Sequence, residues 1–337
     1  MAQRLIIPHR IAHGLCPVNG IRDLLQHRTG RDWSNEFVHG LGQGGGFAYL
    51  RLNFADPPRQ VYWGTASPRQ HKYLAELFGA GYTELENRTF KYAWKTAQYS
   101  VDSGTPPILG PLDMFHLHFY PGIYQQRHIP IHYLLLVGYD SENAYVHDTG
   151  LDNIQTIPLN ELEQAWNVSV PGLGKHNRLV TLSIPLDIPS TKYIICKSIM
   201  DQCKTMINPP VSMLGIPAME KLAGEIANWP HVLGKEIAGI CLRQVREYLN
   251  SPPDLMGDHL TAGRDIYIKF MQEAEAVAGL NLSAAITRMN TAMEIIPKIA
   301  EAIHTENLSD AAACLWDIAG KERDAFHLMM AAIEPSL

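Results

Sequence analysis

Three residues in this chain could do chemistry together: Cys16, His132 and Asp148. Cys16 stands immediately before Pro17, and an amphipathic segment follows with Ile21, Leu24 and Leu25 on one stripe. Proline is favoured in the first turn of a helix, where its missing N–H is no loss and its fixed φ is already helical. Cys16 is therefore read as the N-cap residue of a helix. A sulfur there lies against the positive end of the helix dipole and near free backbone N–H groups, which stabilise negative charge on the nucleophile. The same N–H groups could hold an oxyanion developing on a carbonyl under attack. The plain alternative is a buried, unreactive cysteine, a common situation for this residue type.

A cysteine nucleophile needs a base that takes a proton and later returns one to a leaving group. His132 opens an apolar strand over residues 131–139, residues 140–143 read as a turn, and a return strand over 144–148 ends on Asp148. An imidazole works best when its second nitrogen donates to a carboxylate that fixes tautomer and orientation. If the turn is symmetric about Ser141 and Glu142, however, Asp148 stands opposite Leu135 and its side chain leaves the sheet on the face away from His132. The two can meet only if a bulge shifts the register or Asp148 has left the ladder, and one of these is predicted. Taken singly, His132 reads as a strand-edge histidine and Asp148 as an aspartate starting a turn at Thr149 and Gly150.

The elements that must position these groups follow from periodicity and breakers. Residues 40–46 (GLGQGGG) are glycine-rich, but a strand over 47–52 follows where a nucleotide fingerprint would need a helix. Close approach of the backbone to a packed element or a ligand accounts better for those glycines. Helices are expected over 68–78 and 90–101. Residues 105–113 are extended, with Pro106, Pro107 and Pro111 demoting them from a central strand position. A helix from Asn160 to Trp166 and a last strand over 179–184 complete this half. Residues 185–190 (PLDIPS) read as a linker. Beyond Thr191 almost everything is helical, over 193–206, 217–229, 232–249, 263–278, 283–304 and 309–333. Breaks fall at Pro209, Pro210, Pro252 and Pro253, and a kink at Pro297. The expected fold class is α+β, with a catalytic domain over 1–186 and an all-α helical domain over 187–337.

Composition narrows the function classes. A chain of 337 residues has room for two cores, and 46% hydrophobic with 18% charged residues describes a globular protein. A net charge of −6 offers no electrostatic footprint for nucleic acid or an anionic membrane. No apolar run approaches the roughly 18 residues of a spanning helix, and Leu5-Ile6-Ile7 is too short for a signal-peptide core. Five cysteines without paired spacing (Cys16, Cys196, Cys203, Cys241, Cys314) suit a reducing compartment, so a cytoplasmic protein is expected. The last four fall on expected helices and read as core.

The segments His13-Gly14-Leu15-Cys16, Gly40-Leu41-Gly42-Gln43-Gly44, His132-Tyr133 to Gly138-Tyr139-Asp140, and Val146-His147-Asp148 resemble the butirosin biosynthesis protein H family. Its N-terminal domain is similar to papain-like and bacteriocin-processing cysteine peptidases. The resemblance covers about residues 9–185. It is looser over the helical half, where Tyr267-Ile268-Lys269-Phe270-Met271-Gln272-Glu273 is similar to a pattern in the family's second domain. It implies a papain-like domain with an antiparallel sheet, with Cys16 as nucleophile, His132 as base and Asp148 as orienter. The implied reaction, in secondary metabolism, moves an acyl group from an acyl carrier protein or small thioester donor to an amine-bearing acceptor. Papain-like enzymes often place an oxyanion-hole glutamine six residues before the cysteine; here Arg10 stands there, leaving the Cys16 N–H as a donor. Asp113, where the resemblance places an acid, could bind a substrate amine or cap a turn. Tyr120, Gly44 and Gly45 are further substrate-binding candidates.

His116, His118, His128 and His132 cluster in sequence, and the 116/118 pair would share one face of a strand as zinc ligands can. No ligand set completes them, so no metal and no cofactor are expected. An amide hydrolase or peptidase would use the same triad with water as acceptor. A silent binding scaffold would instead leave the Cys16 thiol slow toward iodoacetamide. The apolar run 329–333 (MMAAI) could offer a homodimer surface.

Overall fold

The computed structural model describes residues 3–12, 14–249 and 261–334; His13, Pro252 and Pro253 lie outside them. The chain opens with β1 (Gln3–Arg4), α1 (Cys16–Thr29) and α2 (Asn35–Leu41). A hairpin of β2 (Phe47–Arg51) and β3 (Arg59–Trp63) follows, then α3 (Ser67–Phe78), β4 (Gly81–Leu85) and α4 (Phe90–Asp102). Next come β5 (Ile108–Leu112), a 3-10 turn (Met114–His116), β6 (His132–Tyr139), β7 (Asn143–Asp148) and β8 (Leu151–Pro158). After α5 (Leu159–Trp166) stand the short β9 (Ser169–Val170) and β10 (Gly174–Lys175), then β11 (Leu179–Ser183).

The rest is helical: α6 (Thr191–Ile207), α7 (Gly215–Glu225), α8 (Trp229–Leu233) and α9 (Lys235–Leu249). Then come α10 (Arg264–Ala278), α11 (Ser283–Met293), α12 (Ile296–His304) and α13 (Leu308–Ile333). Among the described residues no helix is long and apolar enough to cross a membrane.

The protein is α+β, with two compact units: Met1–Val38 with Ala66–Pro189, and His39–Thr65 with Ser190–Leu337. The first is built on an antiparallel sheet in the order β4-β11-β5-β6-β7-β8, with β1 also on β6. β5 is central and buried along its whole length, against the edge position expected from its prolines. Pro111 is tolerated because the β5–β6 ladder breaks there, passing from Leu109↔Leu134 directly to Leu112↔His132, so no ladder bond needs its missing N–H. α1 lies close on this sheet through Gly20, where an added Cβ would come within 3.1 Å of the Ile108 side chain and 3.3 Å of Leu135 Cβ. Val18, Ile21 and Leu25 are fully buried, each burial contributing about 1.5–3 kcal/mol.

The second unit joins the glycine-rich segment and the β2–β3 hairpin to the helices, whereas the sequence reading left residues 39–65 with the first domain. A Cβ at Gly40 would fall 2.0 Å from the Phe270 ring, and one at Gly45 would fall 2.9 Å from the Tyr267 ring. Gly40 and Gly45 are thus demanded by packing against α10. Arg264 of the same helix is fully buried, paired with buried Glu322 at 2.6 and 2.9 Å, and donates to the Gly46 carbonyl at 3.2 Å. Pro297 splits the expected long helix into α11 and α12. Within the 329–333 run Met329 and Ile333 are fully buried and pack inward, while Ala331 is exposed.

Candidate active site

Cys16 is the first residue of α1, with Leu15 in the N-cap position and Pro17 behind it, one residue later than the N-cap role expected. In the first turn Pro17 has no N–H, and the Val18 and Asn19 N–H groups both donate to the Leu15 carbonyl at 3.1 Å. Cys16 is half-buried. The start of α1 is fixed from α3: His71 donates Nε2–H to the Pro17 carbonyl at 2.5 Å. Burial, aided by Arg178, pushes the His71 pKa down to about 3, so this ring is a neutral structural donor.

His132 and Asp148 meet because of a bulge. Tyr139 pairs with Ala144 and Gly138 with Tyr145, but Leu136 then pairs with Val146 and Leu135 with His147, one residue of β6 being skipped. Asp148 is thereby carried past Leu135 to the position opposite Leu134, on the same side of the strand as His132. The His132 Nε2 lies 2.7 Å from Asp148 Oδ2, both side chains being buried. The second carboxylate oxygen accepts from the Gly150 N–H at 2.8 Å and the Tyr120 hydroxyl at 2.5 Å.

The electrostatics follow from this geometry. Burial alone would lower the His132 pKa; the Asp148 carboxylate and then the Cys16 sulfur outweigh it and push it up to about 10. Burial would raise Asp148, but the imidazole, the Tyr120 hydroxyl and the Gly150 amide hold it below the usual carboxylate range. With Nε2 taken by the carboxylate, Nδ1 is the nitrogen left to exchange a proton with sulfur. Burial and Asp148 push the Tyr120 phenol far above its ordinary value, so it stays a donor.

The remaining candidates sort by location. Tyr120, expected at the substrate, orients the Asp148 carboxylate, its ring edge-on to His132 at 5.6 Å. Asp113 organises the loop after β5: Oδ1 accepts from the Phe115 and Ile129 amides at 3.1 and 2.8 Å, and Oδ2 lies 2.6 Å from His128 Nδ1. Gly44 and Gly45 belong to the second unit, where a Cβ at Gly44 would fall 2.2 Å from the His39 ring. Arg10 is paired with Asp32 at 2.8 Å. His116 lies in a 3-10 turn rather than a strand, and His118 bonds Glu161 at 2.9 Å.

Sequence reasoning missed a second cluster. His9, Asp23 and His147 bring their ligand-type atoms within 4.8 Å of one another and are the group among the described residues that could hold a metal ion. One signal pointed to it: Asp23, a charge among the buried apolar residues of α1.

The fold and this geometry define an α+β protein in which a cysteine at a helix start faces a histidine–aspartate pair at the end of a bulged hairpin. Residues 15–149 match the family model described as butirosin biosynthesis protein H, N-terminal, and residues 160–329 match a domain of unknown function (DUF4872). No curated protein matches the chain. Over residues 15–149 the chain belongs to the butirosin biosynthesis protein H-like family, which implies a biosynthetic enzyme of that type.

Proposed function

We propose that this protein is a cysteine-dependent acyltransferase on a papain-like scaffold, moving an acyl group from a thioester donor to an amine through an acyl-Cys16 intermediate. What supports the reading is the bulge that carries Asp148 to His132, since an unbulged hairpin would leave the two on opposite faces. The Cys16 thiolate attacks the thioester carbonyl, and the oxyanion of the tetrahedral intermediate is met by the Cys16 N–H. Collapse breaks the bond to the donor sulfur, which leaves as a thiol with the proton from the His132 imidazolium. The neutral imidazole then takes a proton from the attacking amine, the amide forms, and the Cys16 thiolate is released beside a regenerated imidazolium. Asp148 stays ionised and fixes the ring, itself held by Tyr120 and Gly150.

An acyl carrier protein or a small thioester is the donor in this reading. The decisive experiment supplies an N-acetylcysteamine thioester and follows its consumption with and without a primary amine. A transferase gives amide faster than free acid and loses both with Cys16→Ala. Acid as the main product despite saturating amine would make the protein a hydrolase, and full activity in Cys16→Ala would remove both enzymes.

A further inference from the structure

His9 makes three polar contacts at once. Its Nε2 lies 3.0 Å from the Asp148 carbonyl oxygen and 3.0 Å from the Leu151 carbonyl oxygen, and its Nδ1 lies 2.6 Å from Asp23 Oδ2. Its ring also lies against that of His147, tilted by 31° with centroids 4.3 Å apart. The two carbonyls can only accept, so Nε2 carries a proton; a carboxylate at 2.6 Å calls for a second proton on Nδ1. Burial opposes that charged form, but Asp23 and the two carbonyls outweigh it and raise the His9 pKa.

Asp23 is fully buried on α1, two turns along from Cys16, and is met from several elements. His147 Nδ1 of β7 lies 3.2 Å from Oδ2, and Arg22 Nη1 donates to Oδ1 at 3.0 Å. Arg22 in turn donates to the Trp33 carbonyl and to Asp32. Burial would raise Asp23, yet His147, His9 and Arg22 hold it low. The carboxylate therefore stands between an imidazolium and a guanidinium, both buried. That arrangement is closed by hydrogen bonds, and Arg22 occupies the side from which a cation would otherwise be neutralised.

We propose that His9 and Asp23 are positioning residues that clamp the backbone of Asp148 to the helix beginning at Cys16, so that carboxylate, imidazole and sulfur are held in register. The inference rests on Cys16, His132 and Asp148 being the reacting triad. The bulged hairpin brings Asp148 to His132, and His147 ties β7 to Asp23 of α1 at 3.2 Å. His9 adds the link to Asp148 itself, with one nitrogen on the carbonyls of Asp148 and Leu151 and the other on Asp23 of α1.

The test compares wild type with His9→Gln, whose amide reaches the carbonyls or Asp23 but not both; His9→Asn serves if the first does not fold. Cys16 alkylation by iodoacetamide is followed across pH by peptide mass, scored on protein whose Cys203 stays protected. Half-buried Cys314 in the second unit serves as the internal control. The clamp predicts Cys16 alkylation at neutral pH slowed by roughly tenfold to a hundredfold, in line with the cost of a small misplacement. It also predicts a shifted pH profile, with Cys314 unchanged. An unchanged rate and profile at Cys16 overturn it. Stoichiometric zinc in chelator-free wild type, lost in the variant, also overturns it in favour of a metal site. Thioester turnover by wild type is measured on the same samples: no turnover with a shifted profile removes the transferase and leaves the clamp.

Discussion

Replacing Asp148 by asparagine keeps the shape of the side chain and, with Oδ1 left toward Tyr120 and Gly150, puts a neutral NH2 donor where the charged, accepting Oδ2 faced His132. In the native protein that ring is pushed from 6.5 to about 10, a preference for the imidazolium of about 5 kcal/mol at 1.36 kcal/mol per pH unit. Among the influences that raise it, Asp148 stands ahead of Cys16. Asp148→Asn removes the foremost influence that overcomes burial, so a drop of about two pH units, roughly a hundredfold in the proton affinity of His132, is expected. Acylation of Cys16 from a chromogenic thioester in single turnover, measured across pH, should slow at neutral pH by about that factor, and its alkaline limb should move to lower pH. Stability should change with it. Because the folded His132 pKa is raised, its contribution is full below 6.5 and fades as pH rises through about 10. Because that of Asp148 is lowered, its contribution is present above 3.8 and is lost as pH falls through the folded value. Asp148→Asn should flatten both slopes in a series of urea melts. Native acylation rate and an unmoved alkaline limb in Asp148→Asn would refute the reasoning.

Two further outcomes follow. Tyr120→Phe leaves Asp148 Oδ1 with the Gly150 amide alone, so acylation should slow about tenfold, for about 1–2 kcal/mol of lost hydrogen bonding, with an unchanged circular dichroism spectrum. Glu322→Gln strips the charge from a pair buried at both ends and should cost the second unit about 3–5 kcal/mol in urea unfolding, whereas Arg264→Met with Glu322→Leu should recover most of it.

Cys16, His132 and Asp148 were legible as candidates because each stands at a marked point: Cys16 before a helix-starting proline, His132 and Asp148 at the two ends of a hairpin. The bulge was legible only as a requirement, from counting residues between turn and triad. The sheet edges were not legible. β4 and β8 flank the sheet and carry mostly polar, solvent-facing residues, so neither shows the apolar alternation that marks a strand. Pro111 misled in the other direction, since the break in its ladder is a tertiary fact. The glycines at 40–46 signalled close approach, but the partners of Gly40 and Gly45 lie more than two hundred residues on, at Phe270 and Tyr267. The role of His9 depends on two carbonyls and a helix brought together by folding, and nothing in its local sequence announces it.

Acylation of Cys16 is the step on which the proposed reaction depends. Protein mixed with an N-acetylcysteamine thioester, quenched in acid and digested should yield one acyl group, on the peptide carrying Cys16, and none in His132→Ala. An unmodified Cys16 peptide, or label on Cys314 instead, would contradict it.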